Sequence, residues 1–319
     1  MKRLLTSLLK PFKATTGMGR WLLIIGLVIV AFFVVLALFA EWIAPYGFSQ
    51  VDTKVNGRRV RFPKLSAPSA EHLFGVNDQF YDILSRCIYG ARTAILVVLL
   101  SVLLSLVIGV VLGLVSGYLG GWLDRVLVFV MDAMYAFPSL LLAIVFSFLL
   151  SGLLGGSGIV SAAMSLTVIY IPQYYRVVRN QTVSVREATY VEAARAIGAS
   201  SPTIMSRYLF GNVIQSVPVV GTLNAADAIS TLAALGFLGL GIQPGDAAEW
   251  GYDLSRALDD AASGIWWTGV FPGLSIVLLV TGLTLIGEGL NETVNPTLRK
   301  RKFAKIVMPK LEPVEGSTK

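Results

Sequence analysis

The chain has 319 residues, of which 55% are hydrophobic and 14% charged, with a mean hydropathy of +0.72 and a formal net charge of +7. Soluble globular domains carry about 25% charged residues, so this composition excludes that class and specifies an integral membrane protein. A single cysteine, Cys87, and a single histidine, His72, exclude a disulfide framework and a Cys/His zinc site.

The N-terminal segment 1–20 holds Lys2, Arg3, Lys10, Lys13 and Arg20, which resembles the charged start of a secretory signal. The apolar run 21–43 that follows is too long for a signal core and lacks a clean small-residue cleavage site, so it reads as an uncleaved anchor. After a polar segment at 44–92, spans of the roughly 20 apolar residues needed to cross hydrocarbon are predicted at 93–117, 126–150, 158–177, 213–241 and 269–290. With the anchor they make six. The 158–177 span is the most polar: Ser161, Ser165, Thr167 and Tyr170 dilute it and Pro172 interrupts it, so it is expected to face protein or a cavity. Gly109, Gly113 and Gly117 recur every four residues, a ridge for close approach of a core helix or a partner chain.

Lys and Arg orient the spans. The N-terminal segment, the 118–125 and 173–212 loops and the tail from 291 hold eighteen of the twenty-six, which puts both termini and these loops in the cytoplasm and 44–92, 151–157 and 242–268 outside. Lys54, Arg58, Arg59, Arg61, Lys64, Arg86 and Arg92 run against the rule, which long external segments obey poorly. The basic residues are spread over separate loops and form no single face for nucleic acid.

Between the fourth and fifth spans lies a short polar helix pattern, Tyr190 to Gly198. Tyr190, Ala193, Ala194 and Ile197 fall on one narrow face that could dock a partner, with Glu192 and Arg195 outside it; the plain alternative is a loop helix in which Glu192 pairs with Arg195. Gly198 stands where a helix takes its left-handed C′ residue, and Ser201-Pro202 offers an N-cap and first position for a second helix.

Ionisable groups in hydrocarbon are expensive and normally meet a cavity or a partner. Asp132 lies near the inner end of the third span and reads as an interfacial or paired group. Asn224 and Asp227 share a face of the fifth span amid small residues, and read either as lining a transport path or as interhelical hydrogen bonding. In the outer segment, Asp246, Glu249, Asp253, Asp259 and Asp260 stand against one Arg256, an acidic mouth able to favour cationic groups. No G-x-x-x-x-G-K-[S/T] occurs, so no phosphate cradle of that type is present.

Glu192-Ala193-Ala194 followed after three residues by Gly198 resembles the E-A-A-x-x-x-G signature of permease subunits of bacterial ABC importers. Gly90-Ala91-Arg92, Ser116-Gly117-Tyr118 with Gly120-Gly121-Trp122, Ala136-Phe137-Pro138-Ser139, Phe237-Leu238-Gly239-Leu240-Gly241 with Gln243-Pro244, Phe271-Pro272-Gly273 and Asn295-Pro296 are similar to the dipeptide/oligopeptide/nickel branch of that family. The likeness runs from about 20 to 300 and is to the partner type with one N-terminal anchor. It implies an all-α polytopic fold, a type I importer (MetI-like) core of five spans at 93–290 plus the extra anchor at 21–43, in the bacterial inner membrane. It further implies a coupling loop at 184–210 in which Tyr190, Glu192, Ala193, Ala194, Arg195 and Gly198 meet an ATPase; the path candidates read from the residues are Asn224 and Asp227, and the outer acids Asp253, Asp259 and Asp260 either meet the implied solute-binding protein or belong to a solvated loop packed by Trp250, Trp266 and Trp267. A second permease and two ATPase subunits complete the implied complex, ATP and magnesium residing on the latter and no cofactor or metal on this chain. Short peptides are the implied substrate, with nickel, glutathione or oligosaccharide as family alternatives; a secondary transporter driven by protons at Asp227 is the rival from another class. The chain departs from the family pattern in Phe210-Gly211 for the usual Leu-Pro, Phe80-Tyr81-Asp82 for Gly-Arg-Asp, and Leu232 for a glutamate.

Overall fold

The computed structural model describes residues 18–55, 57–154 and 158–294. The N-terminal segment and the tail from 295, with the Asn295-Pro296 motif, fall outside these residues.

The anchor is α1 (Met18–Leu38), followed by one turn, α2 (Ala40–Ile43). α1 leaves Trp21, Val28, Phe32 and Leu38 exposed, the surface a helix offers to lipid, and packs its other side on the last helix, α10 (Trp267–Val294). Small residues permit that approach: a Cβ on Gly26 would sit 2.6 Å from the Gly282 carbonyl oxygen.

The all-α expectation requires one amendment. Within 44–92 the chain forms an antiparallel hairpin, β1 (Asp52–Val55) with β2 (Arg58–Arg61), in register Asp52 to Arg61. Beyond it Phe80 takes a positive φ of 67°, and the Arg61 guanidinium lies 3.9 Å over its ring.

α3 (Ile83–Leu119) starts ten residues before the predicted span because Asp82 caps it, accepting from the Ser85 backbone N–H at 2.8 Å. The other Asp82 oxygen meets Nδ1 of the buried His72 at 2.9 Å. At its C-terminal end Gly120 and Gly121 take φ of 66° and 70°, a left-handed corner open to glycine, and turn the chain into α4 (Gly121–Ala136).

The predicted third span is not one helix. Pro138 disfavours helical geometry at Phe137, which is extended (φ −81°, ψ 141°), and α4 and α5 (Ser139–Leu154) meet at 102°. Composition reads 126–150 as one apolar run and misses this corner.

α6 (Gly158–Val185) is the polar span, longer than predicted and deeply buried. Two of the hydroxyls that dilute it are consumed locally, Ser165 bonding the Ser161 carbonyl at 2.7 Å and Thr167 that of Ala163 at 2.8 Å. Its most extensive neighbour is α3, and the glycine ridge explains why: Cβ atoms on Gly109, Gly113 and Gly117 would sit 2.6 to 2.8 Å from Tyr174, Tyr175 and Thr182 of α6. The ridge serves a helix of this chain.

After α7 (Thr189–Ala196), a continuous helical run α8 (Ser201–Phe237) includes a π segment at Ile204–Leu209 and a 3₁₀ turn at Ile214–Ser216. It passes unbroken through Phe210 and Gly211. The 242–268 segment contains an amphipathic helix, α9 (Trp250–Ala262), before α10. Among the described residues four helices are long and apolar enough to cross a bilayer, α1, α3, α8 and α10, and five if the bent pair α4–α5 is one span.

Candidate functional site

The loop between α6 and α8 is rigid by construction. Gly198 has φ of +82°; its N–H reaches the Arg195 carbonyl at 2.9 Å and the Ala199 N–H reaches that of Ala194 at 3.0 Å. These are the two bonds of a Schellman ending. The second helix begins one residue earlier than the sequence suggests, with Ser200 at the N-cap and Pro202 inside the first turn.

The docking face needs redrawing. Val191 and Ala194 are buried against Ile204 and Leu209 in a small core of their own, which Leu114 and Tyr118 of α3 also touch. Ala194 therefore holds the loop together instead of facing outward. Tyr190, Ala193 and Ile197 remain exposed, Ile197 at 80%. Among the described residues no ion pair joins Glu192 to Arg195; the Arg195 guanidinium stacks 5.3 Å over the Tyr118 ring and Glu192 is exposed. Asn212 of α8 donates to the Tyr190 hydroxyl at 2.9 Å, tying the docking face to the following span.

A polar knot behind this loop was missed in the sequence. Asp124 of α4 accepts two hydrogen bonds of 2.6 Å from Arg179 of α6, and Ser116 of α3 lies between Asp124 and the Tyr175 hydroxyl. Arg186 reaches the Gly117 carbonyl at 3.0 Å. Three helices are thus fixed together beside α7. Asp124 follows the Gly120-Gly121-Trp122 turn motif by two residues, the one hint the sequence offers.

Asn224 and Asp227 line a cavity of about 410 Å³ at the corner of the broken span, with Tyr135, Phe137 and Ser139 from α4–α5 and Ile169 and Gln173 from α6. Tyr170 donates to Asp227 at 2.8 Å. Asn224 is buried with its Nδ2 facing the Tyr174 hydroxyl, and the two atoms close no well-formed hydrogen bond. Asp132, exposed as expected of an interfacial group, pairs with Arg176 at 2.7 Å.

The outer acids do not form one open mouth. Asp253 is buried on Arg86, Glu249 is buried as the N-cap of α9 and Asp260 is buried, leaving Asp246 and Asp259 facing solvent. Charge counted along the sequence overstates the field there, because Arg86 arrives from 167 positions away.

The arrangement is that of a polytopic membrane protein with a stiff, protruding loop helix at one side and a half-open polar cavity between helices. Residues 109–300 match the family model for the inner membrane component of binding-protein-dependent transport systems, and residues 20–68 match that for the N-terminal transmembrane domain of oligopeptide transport permease C. The chain belongs to this family of transport permeases. It is 41% identical over 283 residues to the dipeptide transport system permease protein DppC of Escherichia coli K12, covering 87% of this chain and 89% of that one. It is 36% identical over 278 residues to the DppC protein of Alkalihalophilus pseudofirmus, covering 87% and 86%. It is 37% identical over 273 residues to the glutathione transport system permease protein GsiD of Shigella flexneri, covering 85% and 84%.

Proposed function

We propose that this chain is one permease subunit of an ATP-driven importer of short peptides, pairing with a second permease, two ATPase subunits and an extracytoplasmic solute-binding protein. The observation that carries the reading is the exposed face of Tyr190, Ala193 and Ile197 on a helix locked to the inner ends of α3, α6 and α8. A face so mounted transmits displacement instead of absorbing it. The ATPases, holding ATP and magnesium, push on α7, and the knot of Ser116, Asp124, Tyr175 and Arg179 passes the motion to the spans. The two access states differ in their contacts, and nucleotide acts through its unequal affinity for them. This chain performs no chemistry.

Six spans, with α4–α5 counted as one bent crossing and α6 as a buried one, give cytoplasmic ends to the chain and an inner face to α7. Phe129, Phe137, Phe148 and Leu153 are exposed along the broken pair beside the half-open cavity, the surface on which the second permease closes the route. Peptide as cargo rests on the dipeptide and glutathione permeases among the relatives. Co-expression of the operon partners, purification in mild detergent and reconstitution in vesicles test the whole: ATP-dependent uptake of a dipeptide with a stoichiometric ATPase supports it. Uptake by this chain alone, driven by a pH gradient, would establish the secondary transporter instead.

A further inference from the structure

We propose that the cavity at the corner of α4–α5 contains a subsite for a protonated amine on the transported solute, with Asp227 as acceptor and Asn224 as donor to a neighbouring carbonyl or carboxylate oxygen. This rests on the importer reading above and names the chemistry at its path.

Asp227 lies ten residues from the end of α8, roughly 15 Å along the helix, and so deep within the span. A carboxylate there persists when it is paired or faces a water-filled cavity. Its hydrogen-bond partner is the Tyr170 hydroxyl, and it belongs to none of the ion pairs among the described residues. Arg176, on the same α6 face as the cavity residue Gln173, is already bound to Asp132 at 2.7 and 3.1 Å and lies 4.2 Å over the Tyr135 ring. Among the described residues the carboxyl acceptor at Asp227 therefore has no cation of its own.

The second observation is independent of charge. Asn224 is 3% exposed, lines the same cavity, and its Nδ2 donor faces the Tyr174 hydroxyl without closing a well-formed hydrogen bond, leaving it able to turn to a ligand oxygen. Buried amides are otherwise nearly always bonded. Positions i and i+3 of a helix stand about 5–6 Å apart, against about 3.3–3.6 Å per residue of extended peptide. An ammonium on Asp227 thus brings an oxygen of the first or second residue to Asn224. The volume, about 410 Å³, falls in the range of small-ligand sites. Met134, Phe137, Leu142, Ile169 and Leu223 surround the polar pair with apolar surface that suits varied side chains.

The test compares Ala-Ala with propionyl-alanine, the same skeleton without the amine, in vesicles holding the complete transporter and saturating binding protein. Because the binding protein is the same in every arm, its own preference cancels when the uptake ratio of the two probes is compared between variants. Asp227→Asn should reduce the preference for Ala-Ala by about tenfold or more, the worth of a charged hydrogen bond, while Asp227→Glu keeps most of it. Asn224→Ala should slow both probes alike. Size-exclusion chromatography confirms that each variant assembles. An unchanged ratio in Asp227→Asn, or impaired assembly there with the preference intact, as a cation from the second permease would produce, overturns the subsite. Equilibrium dialysis of both probes at millimolar concentration against the transporter without binding protein separates the two readings. Retained Ala-Ala preference there without ATP-driven uptake sinks the importer reading alone, and absence of preference in the wild type sinks the subsite.

Discussion

Nε of Arg86 donates to both carboxylate oxygens of Asp253, at 2.7 and 2.8 Å, joining the outer start of α3 to α9 across 167 positions of sequence. Both side chains are almost fully buried. The Phe48 carbonyl takes Nη1 at 3.1 Å and the Tyr81 ring lies 4.9 Å away, so one guanidinium holds three outer segments at once.

Removing one partner of such a pair strands a buried charge. Asp253→Ala should cost about 3–5 kcal/mol, whereas Arg86→Met with Asp253→Leu should recover most of the loss. Thermal unfolding of the detergent-solubilised transporter measures both. A double variant no better than Asp253→Ala would show that the pair is needed for more than charge balance.

Glu249 gives the start of α9 a pH dependence. Burial pushes its carboxyl up to about 8 from 4.5, against the opposing hydrogen bonds from the Gly251 and Tyr252 backbone N–H groups. The folded state therefore holds a proton that the unfolded state releases between these values, and stability contributed by Glu249 is complete below pH 4.5 and falls as pH rises towards 8, by up to about 1.4 kcal/mol per unit. Hydrogen exchange of α9, corrected for intrinsic rate, should report easier opening from pH 6 to 8. Glu249→Gln should flatten that slope.

These outer pairings mark the boundary of what the sequence discloses. Local signals carried far: Gly198 ends a helix because only its left-handed geometry closes the Schellman bonds, and the four-residue glycine period marked the ridge of the most extensive helix contact. The face of α7 was only half legible. A period near 3.6 groups Tyr190, Ala193, Ala194 and Ile197, yet alanine suits core and surface equally, so nothing local tells that Ala194 turns inward to Ile204. The burial of Asp253 depends on Arg86, far away in the chain, whereas the corner at Pro138 has a local cause, the extended Phe137 before the proline, that the apolar composition of 126–150 conceals.

Gly113 provides a test of the ridge. A leucine there must displace the Tyr175 carbonyl, 2.7 Å from the position of its Cβ, and the backbone of Arg179 behind it. Overpacking of this kind typically costs about 1–3 kcal/mol, and here it also disturbs Arg179, which holds Asp124. Gly113→Leu should lower assembled yield in size-exclusion chromatography while the surviving transporter keeps its order of preference among peptides. An altered order with normal yield would place the ridge on the route.

The coupling loop admits three substitutions with different expected signatures. At Gly198 a Cβ would meet nothing within 4 Å, so Gly198→Val adds only the strain of a β-branched residue at φ +82°, roughly 1–3 kcal/mol. It should re-aim α7 without disturbing the spans. Ala193→Trp places bulk on the exposed face and leaves the small core intact, whereas Ala194→Trp must break into the packing of Ile204 and Leu209. The first should therefore release the ATPase from a correctly folded permease, and the second should destabilise the loop even with no ATPase present. ATP hydrolysis, peptide uptake and ATPase retention on an affinity column, measured in the same vesicle preparations, distinguish the three. Gly198→Val is expected to retain some ATPase yet hydrolyse without transport, Ala193→Trp to lose ATPase binding, and Ala194→Trp to lose both binding and loop protection in hydrogen exchange. Full, substrate-stimulated transport by both Gly198→Val and Ala193→Trp would remove α7 from the coupling route.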